Sequence, residues 1–232
     1  MKREQLIYYA YKYQGNYYRI LKAIKNREPY QFLDIRAFTI LDSFYPSEFK
    51  DLKEPPLVIF YEGDLDLLRG EKVAVVGSRM CCDYAKEMTA KLVSTILKDK
   101  VVVSGLAKGV DYHAHINANK TIGILGCGLD YIYPRENKDL ILKMKQQQLV
   151  LSEYPQMTLP QKYHFPFRNR LIAALGKSLY VMQADLRSGT MTSVNQALEL
   201  GKQIYALPYN ANLIYGRGCN QLIEEGADVC LF

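Results

Sequence analysis

A doubly wound, mostly parallel Rossmann-like α/β sheet, preceded by a small helical domain, is the fold this sequence predicts. Three observations carry the prediction. Short β-branched runs recur along the larger part of the chain, amphipathic stretches at helical spacing separate them, and glycine-rich turns follow them. The runs are apolar throughout rather than alternating, which describes strands buried on both faces, as in a parallel sheet between helices.

The 232 residues suffice for one well-filled domain and a small satellite. The satellite is placed at residues 1–56, whose first 54 residues hold eight of the 19 tyrosines and ten basic against seven acidic side chains. Ile20, Leu21 and Ile24 recur there at helical spacing. Tyrosine interleaved with lysine makes either a nucleic-acid surface or an ordinary helical core with snorkelling lysines, and the core is the expectation. Pro55 and Pro56 close the segment, and the apolar run "LVIFY" behind them opens the second domain, 57–232.

Within that domain strands are expected at 72–77 ("KVAVVG"), 101–105 ("VVVSG"), 121–126 ("TIGILG"), 149–154 ("LVLSEY"), 178–183 ("SLYVMQ") and 203–207 ("QIYAL"). One helix is expected from Asp83 to Leu97 with Ala85, Met88, Leu92 and Ile96 on one face. Another runs from Thr190 to Leu200 with Met191, Val194 and Leu198 on one face. Asp111 is expected to cap the "DYHAHINANK" helix, with a role in the site as the lesser alternative. Arg168, Asn169 and Arg170 stand at the threshold of an apolar helix, close before the strand at 178–183.

Ligands of such sheets bind beyond the carboxyl ends of the strands, so the following loops carry the chemistry. They read "GSR" (77–79), "SGLAKG" (104–109), "GCGLD" (126–130), a long segment over 153–170, and "ADLRSGT" (184–190). Glycine lets backbone N–H groups close on a ligand, and a helix N-terminus favours an anion. Arg79, Lys108, Lys162, Arg168, Arg170 and Arg187 all fall in these loops, which points to more than one phosphate. Glu153 can bridge at most one of Arg168 and Arg170 and leaves the other free. Phe165, between Lys162 and Arg168, either stacks on a base or plugs the loop from below.

Other classes are disfavoured. "VVGSRM" keeps only the first glycine of a dinucleotide fingerprint, and the strand ending at Ser104 carries no acid for a ribose, so neither NAD nor FAD is expected. "GLAKG" lacks the spacing of a phosphate-binding Walker loop. The five cysteines are odd in number and form no CxxC, which indicates neither a disulfide framework nor a zinc site. His113 and His115 are expected to be structural, His164 stands alone in a loop, and nothing pairs Glu153 with Asp185 for acid and base work. A net charge of +6 permits nucleic-acid binding without demanding it. No apolar run reaches the roughly 18–20 residues of a membrane span, and the start lacks a signal peptide's core, so a cytoplasmic protein is the default.

The succession "VAVVGSR", "VVVSGLAKGVDYHAH", "GILGCGLDYIYPRENKDL", "LSEYP", "FPFRNRLIAAL", "SGTMTSVNQALELGKQIYALP" and "GCNQLIEEGADV" resembles the DNA-processing protein A (DprA, or Smf) family over about residues 57–232. The resemblance implies a bacterial protein that binds single-stranded DNA during natural transformation, protects it and helps load the RecA recombinase. It implies no catalytic activity and no cofactor, and usually a homodimer. The family's DNA-binding positions carry over to Gly77, Ser78 and Arg79, to Gly105 and Lys108, and to Lys162, Phe165, Arg168, Asn169 and Arg170. The loop Ser188, Gly189 and Thr190 is a further backbone contact.

Some features depart from the family pattern. Gln183 stands where an acid is common, and "ALPYN" replaces Ala-Val-Pro-Gly. The chain ends at Phe232 without the winged-helix-like module of many members, and the first segment resembles a sterile-alpha-motif or helix-hairpin-helix unit only loosely. Leu222 and Ile223 lie either on an exposed dimerisation edge or in the core. The competing class is a nucleotide-handling enzyme such as a phosphoribohydrolase, whose "PGGxGT" loop has its nearest approach here in "RSGT".

Overall fold

The computed structural model describes residues 1–232. The chain opens with a helical hairpin, α1 (Arg3–Lys12) and α2 (Tyr17–Lys25), and a first short strand β1 (Ala37–Thr39). A 3-10 turn at Ser47–Asp51 leads to β2 (Val58–Gly63). There follow β3 (Lys72–Gly77), α3 (Asp83–Ser94), β4 (Val101–Ser104), α4 (Val110–Asn117), β5 (Lys120–Leu125), α5 (Lys138–Gln147) and β6 (Leu149–Ser152). The last part holds α6 (His164–Leu175), β7 (Ser178–Gln183), α7 (Thr190–Glu199), β8 (Gln203–Ala206), α8 (Arg217–Glu224) and β9 (Asp228–Val229).

All nine strands join one sheet in the order β1-β2-β6-β5-β4-β3-β7-β8-β9. From β6 to β9 every pair is parallel, because each connection crosses over through a helix, whereas β1 and β2 form an antiparallel edge. The winding proceeds outward from β3 through β4 to β6, then returns to β7 on the other side of β3. Right-handed crossovers in opposite directions place α3 and α4 on one face and α7 on the other. The crevice that such a reversal creates lies between the carboxyl ends of β3 and β7.

The strands at 72–77 and 178–183 match the sequence expectation residue for residue, because runs buried on both faces leave little ambiguity. The expected helix faces, the Asp111 cap and the place of His164 are corrected. The buried stripe of α3 is Ala85, Thr89, Leu92 and Val93, with Ile96 55% exposed beyond its end; in α7 it is Thr190, Ser193, Val194 and Ala197, with Leu198 57% exposed. The helix α4 begins at Val110 behind Gly109, whose φ of 73° suits glycine, so Asp111 is its second residue and not its cap. Its carboxylate instead accepts a hydrogen bond from the Ala107 N–H at 3.2 Å. His164 opens α6 rather than standing in a loop. Leu222 is 4% exposed inside the main core, with Ile223 packed against it, which removes the exposed edge considered for dimerisation.

The 1–56 segment is helical first, but the pairing of Ala37–Thr39 with Val58–Phe60 carries the sheet across the expected boundary. Leu6, Tyr9, Ile20 and Ala23 of the hairpin pack with Phe60 of β2, Val150 of β6 and Met144 of α5. His115 is buried and structural: its Nε2 faces the Gly105 carbonyl at 2.6 Å, which assigns the proton there, and Nδ1 faces the Thr121 hydroxyl at 2.6 Å.

Candidate nucleic-acid interface

Where β3 and β7 part, a cleft of about 1010 Å³ opens. One wall is the turn Gly77–Ser78–Arg79 after β3. It is pinned on both sides, since the Ser78 N–H donates to the Gln183 carbonyl at 2.9 Å and the Ser78 carbonyl accepts from Val110 N–H at 3.1 Å. Gly77 is required by crowding, for a Cβ there would meet the Val110 side chain at 2.5 Å. The opposite wall is Ser188, Gly189 and Thr190 at the start of α7, where free N–H groups and the helix dipole favour an anion. The Ser188 hydroxyl oxygen is buried there without a hydrogen-bond partner.

The floor comes from α6. Its first turn is held by His164, which stacks on Tyr154 at 3.9 Å between ring centres and places Nδ1 at 3.1 Å from the Gly126 carbonyl. Burial lowers the His164 pKa and keeps the ring neutral. Phe165, Arg168 and Asn169 then line the cleft. The Phe165 ring lies between the Arg79 guanidinium, 5.6 Å from its centre, and the Tyr133 ring at 5.2 Å. An adjoining recess of about 440 Å³ continues past Arg79, Phe165 and Arg168 to Leu106, Leu125 and Tyr133.

Arg168 and Arg170 are two residues apart, about 200° around a helix, so they cannot share a face. Arg170 turns away from the cleft. Its Nη2 donates to both Glu153 oxygens at 2.8 Å and to the Glu54 carbonyl at 3.2 Å, and its guanidinium lies 3.8 Å from the Phe167 ring centre. Arg170 and Glu153 are both buried, and Arg170 lines a separate recess against the 47–51 turn and α7. The structure thus places Arg170, expected among the DNA-binding positions, in an ion pair with Glu153 outside the cleft, with its Nε and Nη1 unpartnered.

Arg168 is 6% exposed and makes no ion pair. Its Nη1 donates to the Ile124 carbonyl, and its Nε has no partner. The opposing charge is Asp111, across Gly105; burial pushes the Asp111 carboxyl up, with Arg168 pulling it back, and burial likewise lowers the Arg168 guanidinium. Gly105 belongs to this arrangement, for a Cβ there would meet Arg168 Nη1 and Nη2 at 2.8 Å and also the Asp111 carboxylate. A buried cation with unused donors at a cleft floor can take an anionic oxygen from outside.

The remaining expected positions divide. Lys108 reaches the adjoining recess but is tied in an exposed ion pair to Glu136. Lys162 and Arg187 are exposed and line neither recess. The sequence reading missed Met80, 90% exposed at the cleft lip, and missed Tyr133 and Ser193 as lining residues, while Asp111 takes the site position that was the lesser alternative to a cap. Asp111 and Ser193 follow from helix periodicity once the start of each helix is known; Tyr133 lies beyond the loop segment that the glycines mark. No cluster of three or more His, Cys, Asp or Glu is placed to hold a metal ion, and no helix is long and apolar enough to cross a membrane.

The sequence model of the family described as DNA recombination-mediator protein A matches residues 36–231. The chain is 40% identical over 219 residues to the DNA processing protein DprA of Streptococcus pneumoniae, covering 93% of this chain and 77% of that protein. It is 39% identical over 204 residues to its counterpart in Bacillus subtilis, covering 85% and 69%. The X-ray structure of the Streptococcus pneumoniae protein superimposes with a TM-score of 0.83 at 39% identity, over 92% of this chain and 77% of that one. A structure reporting the single-stranded DNA binding mode of DNA processing protein A from Helicobacter pylori superimposes with a TM-score of 0.78 at 38% identity, over 84% and 91%.

Proposed function

We propose that this chain, which belongs to the DNA recombination-mediator protein A family, binds single-stranded DNA in the cleft between β3 and β7. The observation that carries the reading is Arg168, a buried guanidinium on the cleft floor with an unpartnered Nε and no ion pair. Arg79 at the lip and the α7 N-terminus opposite supply further phosphate contacts, while Gly77, Ser78, Gly189 and Thr190 offer close backbone approach. Several separated anion sites suit a polymer of phosphates better than one nucleotide. Phe165 supplies a sequence-tolerant surface, since every base has a π-face, so binding without sequence preference is expected.

The same reading makes the protein a cytoplasmic mediator that delivers the strand to the RecA recombinase during DNA uptake, working as a homodimer. The single-stranded DNA binding mode reported for the Helicobacter pylori relative supports the strand binding, and the family's description supports the mediator role. A binding role is favoured over catalysis because the cleft's one carboxylate, Asp111, is buried, accepts from Ala107 N–H and faces Arg168, leaving it poorly placed to attack a substrate.

The test is a titration of labelled oligo-dT with AMP as competitor. Tight binding that AMP does not displace is the expected result; hydrolysis of AMP, or AMP binding with no affinity for oligo-dT, contradicts the reading.

A further inference from the structure

The helix α2 presents a face that the cleft does not use. Ile20 and Ala23 are buried, whereas Tyr18, Arg19, Leu21, Lys22 and Lys25 are exposed and occupy one continuous arc of about 160° at 100° per residue. The helix carries no acidic residue. Arg19, Lys22 and Lys25 enter no ion pair in the structure, unlike Lys12 on α1, which pairs with Glu28 at 2.9 Å. The Tyr18 ring is 65% exposed although its hydroxyl is held at 2.7 Å by Glu54. Lys22 and Lys25 therefore follow, one and two turns on, an exposed aromatic whose hydroxyl is anchored by Glu54.

This face begins at the rim that bears the cleft. Gly15, in the turn before α2, packs so closely on the Glu153 backbone carbonyl at the end of β6 that a Cβ would come within 2.6 Å of the oxygen. Glu54, which holds Tyr18, also gives its carbonyl to Arg170, two residues beyond Arg168 on α6. Exposed Lys162 and Tyr163 precede α6 on the same rim.

We propose that the exposed face of α2 is a second single-stranded DNA contact, engaging the strand after it leaves the β3/β7 cleft. The proposal rests on the cleft reading above. Three unpaired cations over about 10 Å of helix, with a tyrosine ring at their N-terminal end, have the composition of a backbone-tracking, base-stacking surface. The contact adds electrostatic affinity and site length, and reads no sequence.

The experiment compares a short oligo-dT of about six nucleotides with a long one of about 20, for the wild type and the Arg19→Gln/Lys22→Gln/Lys25→Gln variant, across a salt series. All three side chains are exposed, and a thermal melt checks that the variant keeps its fold. The wild type is expected to bind the long strand more tightly and with a steeper salt dependence. In the variant the long-strand slope of log K against log salt falls by about 2, three phosphate contacts at about 0.7 each, while the short strand is unaffected. Unchanged long-strand affinity and slope in the variant overturn the α2 contact and leave the cleft intact. Failure of the wild type to bind either strand overturns both.

Discussion

The guanidinium of Arg79 lies 5.6 Å from the centre of the Phe165 ring, bringing the turn after β3 and the first turn of α6 together across the mouth of the cleft. A cation over an aromatic face is attracted by the ring quadrupole, by about 0.5–1 kcal/mol at an exposed site. That is weak enough for a phosphate and a base to compete for the two side chains. Under the proposed reading of the cleft, the pair is a ready-made contact for one nucleotide.

Under the same reading, Arg79→Ala removes a phosphate contact. The expected outcome is weaker oligo-dT binding at every sequence alike, with the log K against log salt slope reduced by about 0.7 in fluorescence anisotropy titrations. Phe165→Ala removes stacking instead, costs about 1–3 kcal/mol of affinity and leaves the slope unchanged.

Gly105→Ala forces a methyl group into the space between Arg168 and Asp111. Because the buried guanidinium has only the Ile124 carbonyl to anchor it, it shifts, and oligo-dT affinity falls by about tenfold or more with the sheet intact. Affinity equal to the wild type in the same titration contradicts the placement of Arg168.

Arg170 and Glu153 are a buried pair in which each charge depends on the other. Arg170→Ala leaves a buried carboxylate without its partner and is expected to cost about 3–5 kcal/mol in urea denaturation. Replacing both partners together with apolar residues of similar volume recovers much of that loss.

Burial holds the His115 pKa down to about 4, against about 6.5 for an unperturbed imidazole. The unfolded chain therefore takes up the proton first. Stability from this group is complete above about pH 6.5 and is lost as pH falls toward 4, by about 3 kcal/mol over the window. Asp111 and Glu153, raised by burial, titrate in the opposite sense. The measurement is thus the difference between wild type and His115→Asn in denaturation at a series of pH values, which is expected to shrink on acidification.

Much of the sheet was legible because strands buried on both faces must be apolar at every position, as in 72–77 and 178–183. The outer strands were not: β1 and β9 have three and two residues, too few for a pattern, and exist because a neighbour's edge is available to pair with. The candidate site was legible at the level of loops, since Gly77, Ser78, Arg79, Phe165, Arg168, Asn169, Ser188, Gly189 and Thr190 all line one cleft. Which arginine stays open was decided by the helix beginning at His164, four residues before Arg168. Once α6 includes both arginines, their separation around the axis sends one to the cleft and the other to Glu153. Leu222 was open between an edge and the core, because a short amphipathic helix near a chain end reads alike whether its apolar face meets the core or a partner.

The division of labour between these two arginines is tested most directly by the salt dependence of oligo-dT binding in Arg168→Gln and Arg170→Gln, each measured on the folded fraction. The account predicts that Arg168→Gln weakens binding and lowers the slope by about 0.7, while Arg170→Gln lowers stability and leaves the slope at its wild-type value. A lowered slope in Arg170→Gln with no change in Arg168→Gln would contradict it.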